Sequence, residues 1–191
     1  MRTAIFGGSF NPLHIGHLCI AEELLHALPC DRILFVPAST PPHKALSDDP
    51  GSALRLEMLE SSLADEPRFE VADCELSREG ISYSIDTLRY LTGSGIVEPR
   101  PFLIIGDDLV EGFPSWKDFS SIILESRIVI VHRVSSSRLN PSFPHSYVDN
   151  SIFPLSSSLV RSRIASGGAW KFLVTAETRN VIEEHGLYGL R

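Results

Sequence analysis

Cysteine is scarce in this chain, and basic residues are outnumbered by acidic ones. Cys19, Cys30 and Cys74 are its three cysteines among 191 residues. The odd number and the lack of metal-ligand spacing point away from a disulfide framework or a cysteine-held zinc, and towards a reduced compartment. Lys and Arg total 17 against 24 Asp and Glu, a formal net charge of -7. The field of such a molecule does not attract nucleic acid, so any anionic ligand must be held by a local cluster of positive groups. No apolar run approaches the roughly 20 residues of a membrane-spanning helix. Met1 to Phe6 carries one basic residue and runs straight into a strand, without the apolar region and cleavage site of a signal peptide. These absences lead us to expect a cytoplasmic protein with neither a membrane nor nucleic acid as partner. A Walker loop, a G-x-G-x-x-G fingerprint and internal repeats are missing too.

What is present is ordinary globular material, 43% hydrophobic and 21% charged, with a length that suits one domain over residues 1–191. Thr3 to Phe6, Ile33 to Val36, Phe102 to Ile105 and Ile128 to Val131 are short apolar runs, as strands buried on both faces of a parallel sheet should be. Helical spacing marks Ile15 to Leu28, Ala53 to Ala64, Ile85 to Thr92, Ser158 to Ala165 and Thr175 to His185. The alternation predicts an α/β fold: a doubly wound, mostly parallel, Rossmann-like sheet with helices on both faces. Ligands in such folds sit beyond the carboxyl ends of the strands. The segments to inspect are therefore 7–17, 37–44, 106–116 and 132–133. Two long stretches, 38–52 and 135–150, read as loops, either binding segments or solvated connectors.

The first of these segments is the most informative. Gly7 and Gly8 end a strand and let backbone N–H groups approach an anion. Pro12 presets a turn into a helix whose N-terminus favours negative charge. His14 and His17 lie three apart, so they share a face of the first helical turn, and Gly16 leaves space between them. The expected product is a phosphate site with two titratable donors. A zinc pair is the competing reading, but suitable third and fourth ligands are not evident nearby. Ser156-Ser157-Ser158 open a later helix and offer a second anion site, with Arg161 one turn on as a planar fork for phosphate. Trp116 is a stacking platform or a core filler. Arg133 holds phosphate or closes a surface ion pair.

The run Gly7-Gly8-Ser9-Phe10-Asn11-Pro12-Leu13-His14-Ile15-Gly16-His17 resembles the HxGH signature of the nucleotidyltransferase superfamily, which includes the class I aminoacyl-tRNA synthetases. The wider pattern resembles the bacterial nicotinate-nucleotide adenylyltransferases over nearly the whole chain. Pro41-Pro42-His43-Lys44 is similar to that family's loop lysine, and Ser82 to Leu88 to its acceptor-side segment, with Ser84 where Thr is usual. Gly106-Asp107-Asp108 with Phe113-Pro114-Ser115-Trp116 resembles its G-x-D…W block. Ser156 to Arg161 resembles its second signature, with Ser158 for the usual Thr. Both exchanges keep the hydroxyl.

The resemblance implies transfer of AMP from ATP to nicotinate mononucleotide, with Mg²⁺ accompanying ATP. It implies His14, His17, Lys44 and Arg161 as catalytic residues. Gly7, Gly8, Ser9, Phe10, Gly106, Asp108, Ser157 and Ser158 would join His14, His17 and Arg161 around ATP. Asn11, Lys44, Tyr83, Ser84, Thr87, Asp108, Trp116 and Arg133 would hold the acceptor. No protein-borne metal site and no covalent intermediate are implied. A homo-oligomer stays open, as do adenylyl or cytidylyl transfer to another phosphorylated acceptor such as phosphopantetheine or nicotinamide mononucleotide, and a nucleotide-binding module without chemistry.

Overall fold

The computed structural model describes residues 1–42, 48–78 and 80–190. Six strands form one sheet: β1 (Thr3–Gly8), β2 (Arg32–Pro37), β3 (Phe69–Val71), β4 (Phe102–Gly106), β5 (Arg127–Val131) and β6 (Ser146–Val148). Their order is β3-β2-β1-β4-β5-β6, and every neighbouring pair is parallel. The chain winds outward from β1 to β3, returns to the middle at β4, and winds outward again. β1 and β4 therefore flank the switch point, where an open parallel sheet offers its crevice.

The apolar strand runs have two packing faces because successive side chains point to opposite sides. Phe6, Ile33, Phe35, Ile104 and Val129 meet helices α1 (Ile15–Ala27) and α2 (Ser52–Leu63) on one face. Ile5, Leu34, Leu103, Ile105 and Ile130 meet α3 (Ser84–Gly93) and α4 (Phe119–Glu125) on the other. Each large side chain so buried contributes about 1.5–3 kcal/mol. A third apolar cluster joins Met58 of α2 to α5 (Ser157–Ala165) and α6 (Ala176–Glu184) through Val160, Ile164, Trp170, Ile182 and Tyr188. That cluster fixes the start of α5 beside the sheet's carboxyl edge.

Two elements correct the expectation of a featureless stretch at 135–150 and a four-strand reading. β6 lies within that stretch, and Phe143 is buried against Phe113 and Phe119. β3 and β6 have three residues each, and α4 has seven. Segments this short show too few periods for a pattern to be read, and only pairing with a neighbour makes them regular.

Candidate active site

At the switch point the backbone has room that side chains elsewhere would fill. A Cβ on Gly7 would meet nothing within 4 Å, so this strand end is open to a ligand. Gly8 is closed differently, since its Cβ would stand 3.0 Å from the Phe10 ring. Phe10 itself takes φ +43°, a left-handed conformation that costs a non-glycine residue about 1–2 kcal/mol. The buried ring offsets that cost by packing against Phe6, Phe35 and His17. Phe10 thus belongs to the core and braces His17 from behind, instead of facing the cleft.

The two histidines open α1 as its cap and third residue. Their rings stack at 3.6 Å, and a Cβ on Gly16 would lie 3.1 Å from the His14 ring. The His14 N–H donates to His17 Nδ1 at 3.2 Å, which leaves Nε2 to carry the hydrogen of the neutral His17 ring. His14 is buried, and neither of its ring nitrogens has a partner among the described residues. Burial, then the Arg133 charge, pulls the His14 pKa from 6.5 down to about 3. Burial, then His14 and Arg133, holds His17 well below 6.5. Both rings are neutral in the free protein. A buried polar atom without a partner costs about 1–3 kcal/mol, which a ligand oxygen at this spot would relieve.

Across the cleft, α5 begins at Ser157 with Ser156 as its cap, whose hydroxyl accepts from the Leu159 N–H at 3.2 Å. Ser157 donates its hydroxyl to the Pro12 carbonyl at 2.9 Å, tying the two helix starts together. The N–H groups at the start of α5 have no acceptor within the helix and face an anion favourably. Gly7, Gly8, Ser9, His14, His17, Gly106, Asp108, Arg133, Ser157 and Ser158 all line this cleft of about 500 Å³. Asp108 and Arg133 pair across it at 2.9 Å, and a side chain on Gly106 would collide with both.

A second, apolar lobe of about 210 Å³ adjoins the first, because Gly8, Ser9 and Leu109 line both. Its walls are Pro41, Pro42, Tyr83, Ser84, Trp116 and Ile122. Trp116 stands edge-on to buried Phe113 at 4.9 Å, which braces the indole in the wall of this lobe. Ser82 accepts the Ser39 N–H at 3.0 Å and holds the opposite wall. Tyr83 is the cap of α3, but its N–H donates to the Ile81 carbonyl at 3.1 Å. The donors at this helix start are therefore the N–H groups of Ser84 and Ile85.

Three further expected contacts lie behind the walls. Thr87 is buried and donates its hydroxyl to Glu75 at 2.5 Å. The Asn11 side chain accepts the Tyr188 hydroxyl at 2.8 Å, and its carbonyl accepts from Arg161 at 2.7 Å. Arg161 is buried and also reaches Ser158 at 3.4 Å, in a recess shared with Asp48 and Tyr188. It holds the glycine loop to α5 from behind, as Phe10 supports His17. Lys44 lies outside the described residues.

Two supports escaped the sequence reading. Arg55, fully buried, donates to the Ser9 carbonyl at 2.9 Å, the Ala38 carbonyl at 2.8 Å and Asp49 at 2.9 Å. It clamps the loops after β1 and β2, and its signal was a charge on the same stripe as Met58, Leu59 and Leu63. Asp107, also buried, accepts the N–H groups of Arg133 at 2.9 Å, Val134 at 3.1 Å and Ser135 at 3.0 Å. It fixes the strand end that carries Arg133. A carboxylate at one strand end beside another strand's turn was the available clue.

Such a cleft is built to bring two anions together rather than to attack either, which is the task of a nucleotidyltransferase. A Cytidylyltransferase-like family model matches residues 5–163. The "Probable nicotinate-nucleotide adenylyltransferase" of Borrelia garinii subsp. bavariensis is 39% identical over 188 residues, covering 98% of this chain and 95% of its own. The protein of the same name from Geobacillus thermodenitrificans is 42% identical over 190 residues, covering 100% and 87%. The chain belongs to the Cytidylyltransferase-like family and, within it, to the nicotinate-nucleotide adenylyltransferases. The fold is also that of a solved structure, "Plasmodium falciparum nicotinic acid mononucleotide adenylyltransferase complexed with NaAD", with TM-score 0.80 at 19% identity, covering 100% of this chain and 98% of that one.

Proposed function

We propose that this chain transfers AMP from ATP to nicotinate mononucleotide, giving deamido-NAD and pyrophosphate. The observation that carries the reading is the two-lobed cleft: a polar lobe of backbone donors and imidazoles joins a ring-sized apolar slot at Gly8, Ser9 and Leu109. ATP phosphates take the polar lobe and the pyridine ring takes the slot between Tyr83 and Trp116. An oxygen of the acceptor phosphate attacks the α-phosphorus of ATP. A new P–O bond forms, the bond to the bridging oxygen breaks, and pyrophosphate leaves with its electron pair. The attacking oxygen is already anionic, so no general base is required.

The difficulty is repulsion between the two substrates. Two unit charges about 4 Å apart repel by about 4 kcal/mol at an effective dielectric near 20. His17 Nε2–H, the ring of His14, the helix starts at Ser157 and Ser158, and Arg133 offset it. Lys44 adds a further positive group in this reading. Phosphate oxygens favour the protonated imidazole, so bound ATP raises both histidine pKa values. Among the described residues no three His, Cys, Asp or Glu side chains cluster as a metal site. In this reading Mg²⁺ enters with ATP, held mostly by phosphate oxygens and water.

The Ser84 and Ile85 N–H groups suit a carboxylate on the ring, whereas an amide would set donor against donor. A buried mismatch of that kind costs about 1–3 kcal/mol, roughly tenfold to a hundredfold in kcat/KM. Pyrophosphate release with nicotinate and nicotinamide mononucleotides side by side, both subsaturating, tests the reading. We expect the acid to win by about that factor. Equal values, or a preference for the amide, would overturn the assignment of the acceptor.

A further inference from the structure

The slot has a charged rim to which neither the sequence nor the reading above gives a task. Lys117 follows Trp116 and lines the slot. Its Nζ lies 4.6 Å from the centre of the Tyr83 ring and donates to both carboxylate oxygens of Asp86, at 2.8 and 3.1 Å. Asp86 is the third residue of α3. Its carboxylate therefore sits in the same helical turn as the Ser84 and Ile85 N–H groups that are read as meeting the acceptor's acid group. A fixed anion there opposes a second one, and repulsion between them acts only on the acid and not on the amide.

Nearby charges do not relieve that conflict. Asp118 is engaged by Arg89 at 2.8 Å, and the same guanidinium takes Glu125 at 2.8 Å. Glu75 stands behind Thr87 and off the slot wall. Among the described residues, Lys117 is the cation paired with Asp86. We propose that Lys117 is a specificity-determining residue: by neutralising Asp86 it keeps the slot hospitable to a carboxylate-bearing acceptor. The inference rests on the reading that the slot takes the acceptor's pyridine ring. It differs from a direct Lys117–carboxylate contact, because it makes the effect of Lys117 depend on Asp86.

A double-mutant cycle separates the two. The readout is the ratio of kcat/KM for nicotinate mononucleotide to that for nicotinamide mononucleotide, in wild type, Lys117→Met, Asp86→Asn, the double variant and Lys117→Arg. Lys117→Met should lower the ratio about tenfold, since an unscreened charge now faces the acid. Lys117→Arg keeps the charge and should stay within about twofold of wild type. With Asp86 also neutral, the double variant should return to within about threefold of wild type. Thermal unfolding shows whether each variant is folded. An unchanged ratio in folded Lys117→Met overturns the inference, as does a loss that persists in the double variant. Should Lys117→Met fail to fold, Asp86→Asn alone decides: its ratio should hold or rise, and a fall overturns the inference. A wild-type enzyme that transfers AMP to neither mononucleotide overturns the proposed function itself, whereas an active one with an insensitive ratio overturns only the role of Lys117.

Discussion

The two lobes of the cleft are built by opposite means. The polar lobe is lined by strand-end glycines, serines and two imidazoles; among the described residues neither ring nitrogen of His14 has a partner, and both histidines are held neutral by burial. It stays in place because buried side chains grip it from behind, Arg55 on the Ser9 carbonyl, Arg161 on the Asn11 carbonyl and Tyr188 on the Asn11 amide. The apolar lobe is shaped by different contacts. Trp116 packs edge-on to Phe113, Ser82 holds the Ser39 N–H, and Lys117 lies over the Tyr83 ring, so the apolar surface is at little cost without a ligand. In the proposed reaction the polar lobe meets phosphate through imidazoles and helix-start donors, and the apolar lobe meets the ring by shape.

Replacing His17 with Ala attacks the polar lobe directly and should have the largest effect. In the proposed reaction it removes a donor to the transferring phosphate, so kcat/KM should fall about a hundredfold or more. Circular dichroism and steady-state pyrophosphate release check it. A folded His17→Ala enzyme with near wild-type turnover would show that the stacked imidazoles are packing and nothing more.

Breaking the apolar lobe should be milder and fall on one substrate. Trp116→Ala removes a stacking face worth about 1–3 kcal/mol, so the acceptor KM should rise roughly tenfold or more. The KM for ATP should move by less than about twofold if the lobes act independently. An equal rise in both constants would mean that Trp116 shapes the whole cleft.

The smallest effect sharpens the comparison through pH. With folded-state values depressed below 6.5, to about 3 for His14, both histidines bind fewer protons folded than unfolded. Their contribution to stability is intact above about pH 6.5 and is lost as pH falls below it. Each then costs up to about 1.4 kcal/mol per pH unit. Urea unfolding at about pH 7 and about pH 5.5 should show a loss that shrinks by about 1–3 kcal/mol when both histidines are Gln. Saturating ATP should narrow the loss in the wild type, because in the proposed complex its phosphates raise both pKa values. A loss equal in both proteins would mean that other groups set the pH dependence.

Much of this was legible in the residues themselves. The four long strands could be read because burial on both faces leaves uninterrupted apolar runs. β3, α4 and β6 could not, since a three-residue strand shows no period and becomes a strand only by pairing. The glycine turn and the His14–His17 spacing announced the polar lobe, because local geometry puts them on one turn. Phe10, Asn11, Thr87 and Arg161 were assigned to ligands by motif, yet their side chains point into packing and hydrogen bonds behind the walls. A motif records that a position matters to a site. It does not say from which side the residue serves it.

The sequence by itself determined what is local: the parallel α/β fold, the strand-end glycines, the paired histidines and the serine-capped helix. Each follows from neighbours along the chain, through periodicity, turn chemistry and capping. Only the tertiary structure decided how distant segments meet. It brought Arg55 under the Ser9 loop, Asp107 to the end of β5, Tyr188 against Asn11 at 177 residues' separation, and Lys117 onto Asp86. Those meetings depend on strand order and on packing between layers, quantities that no window along the chain contains.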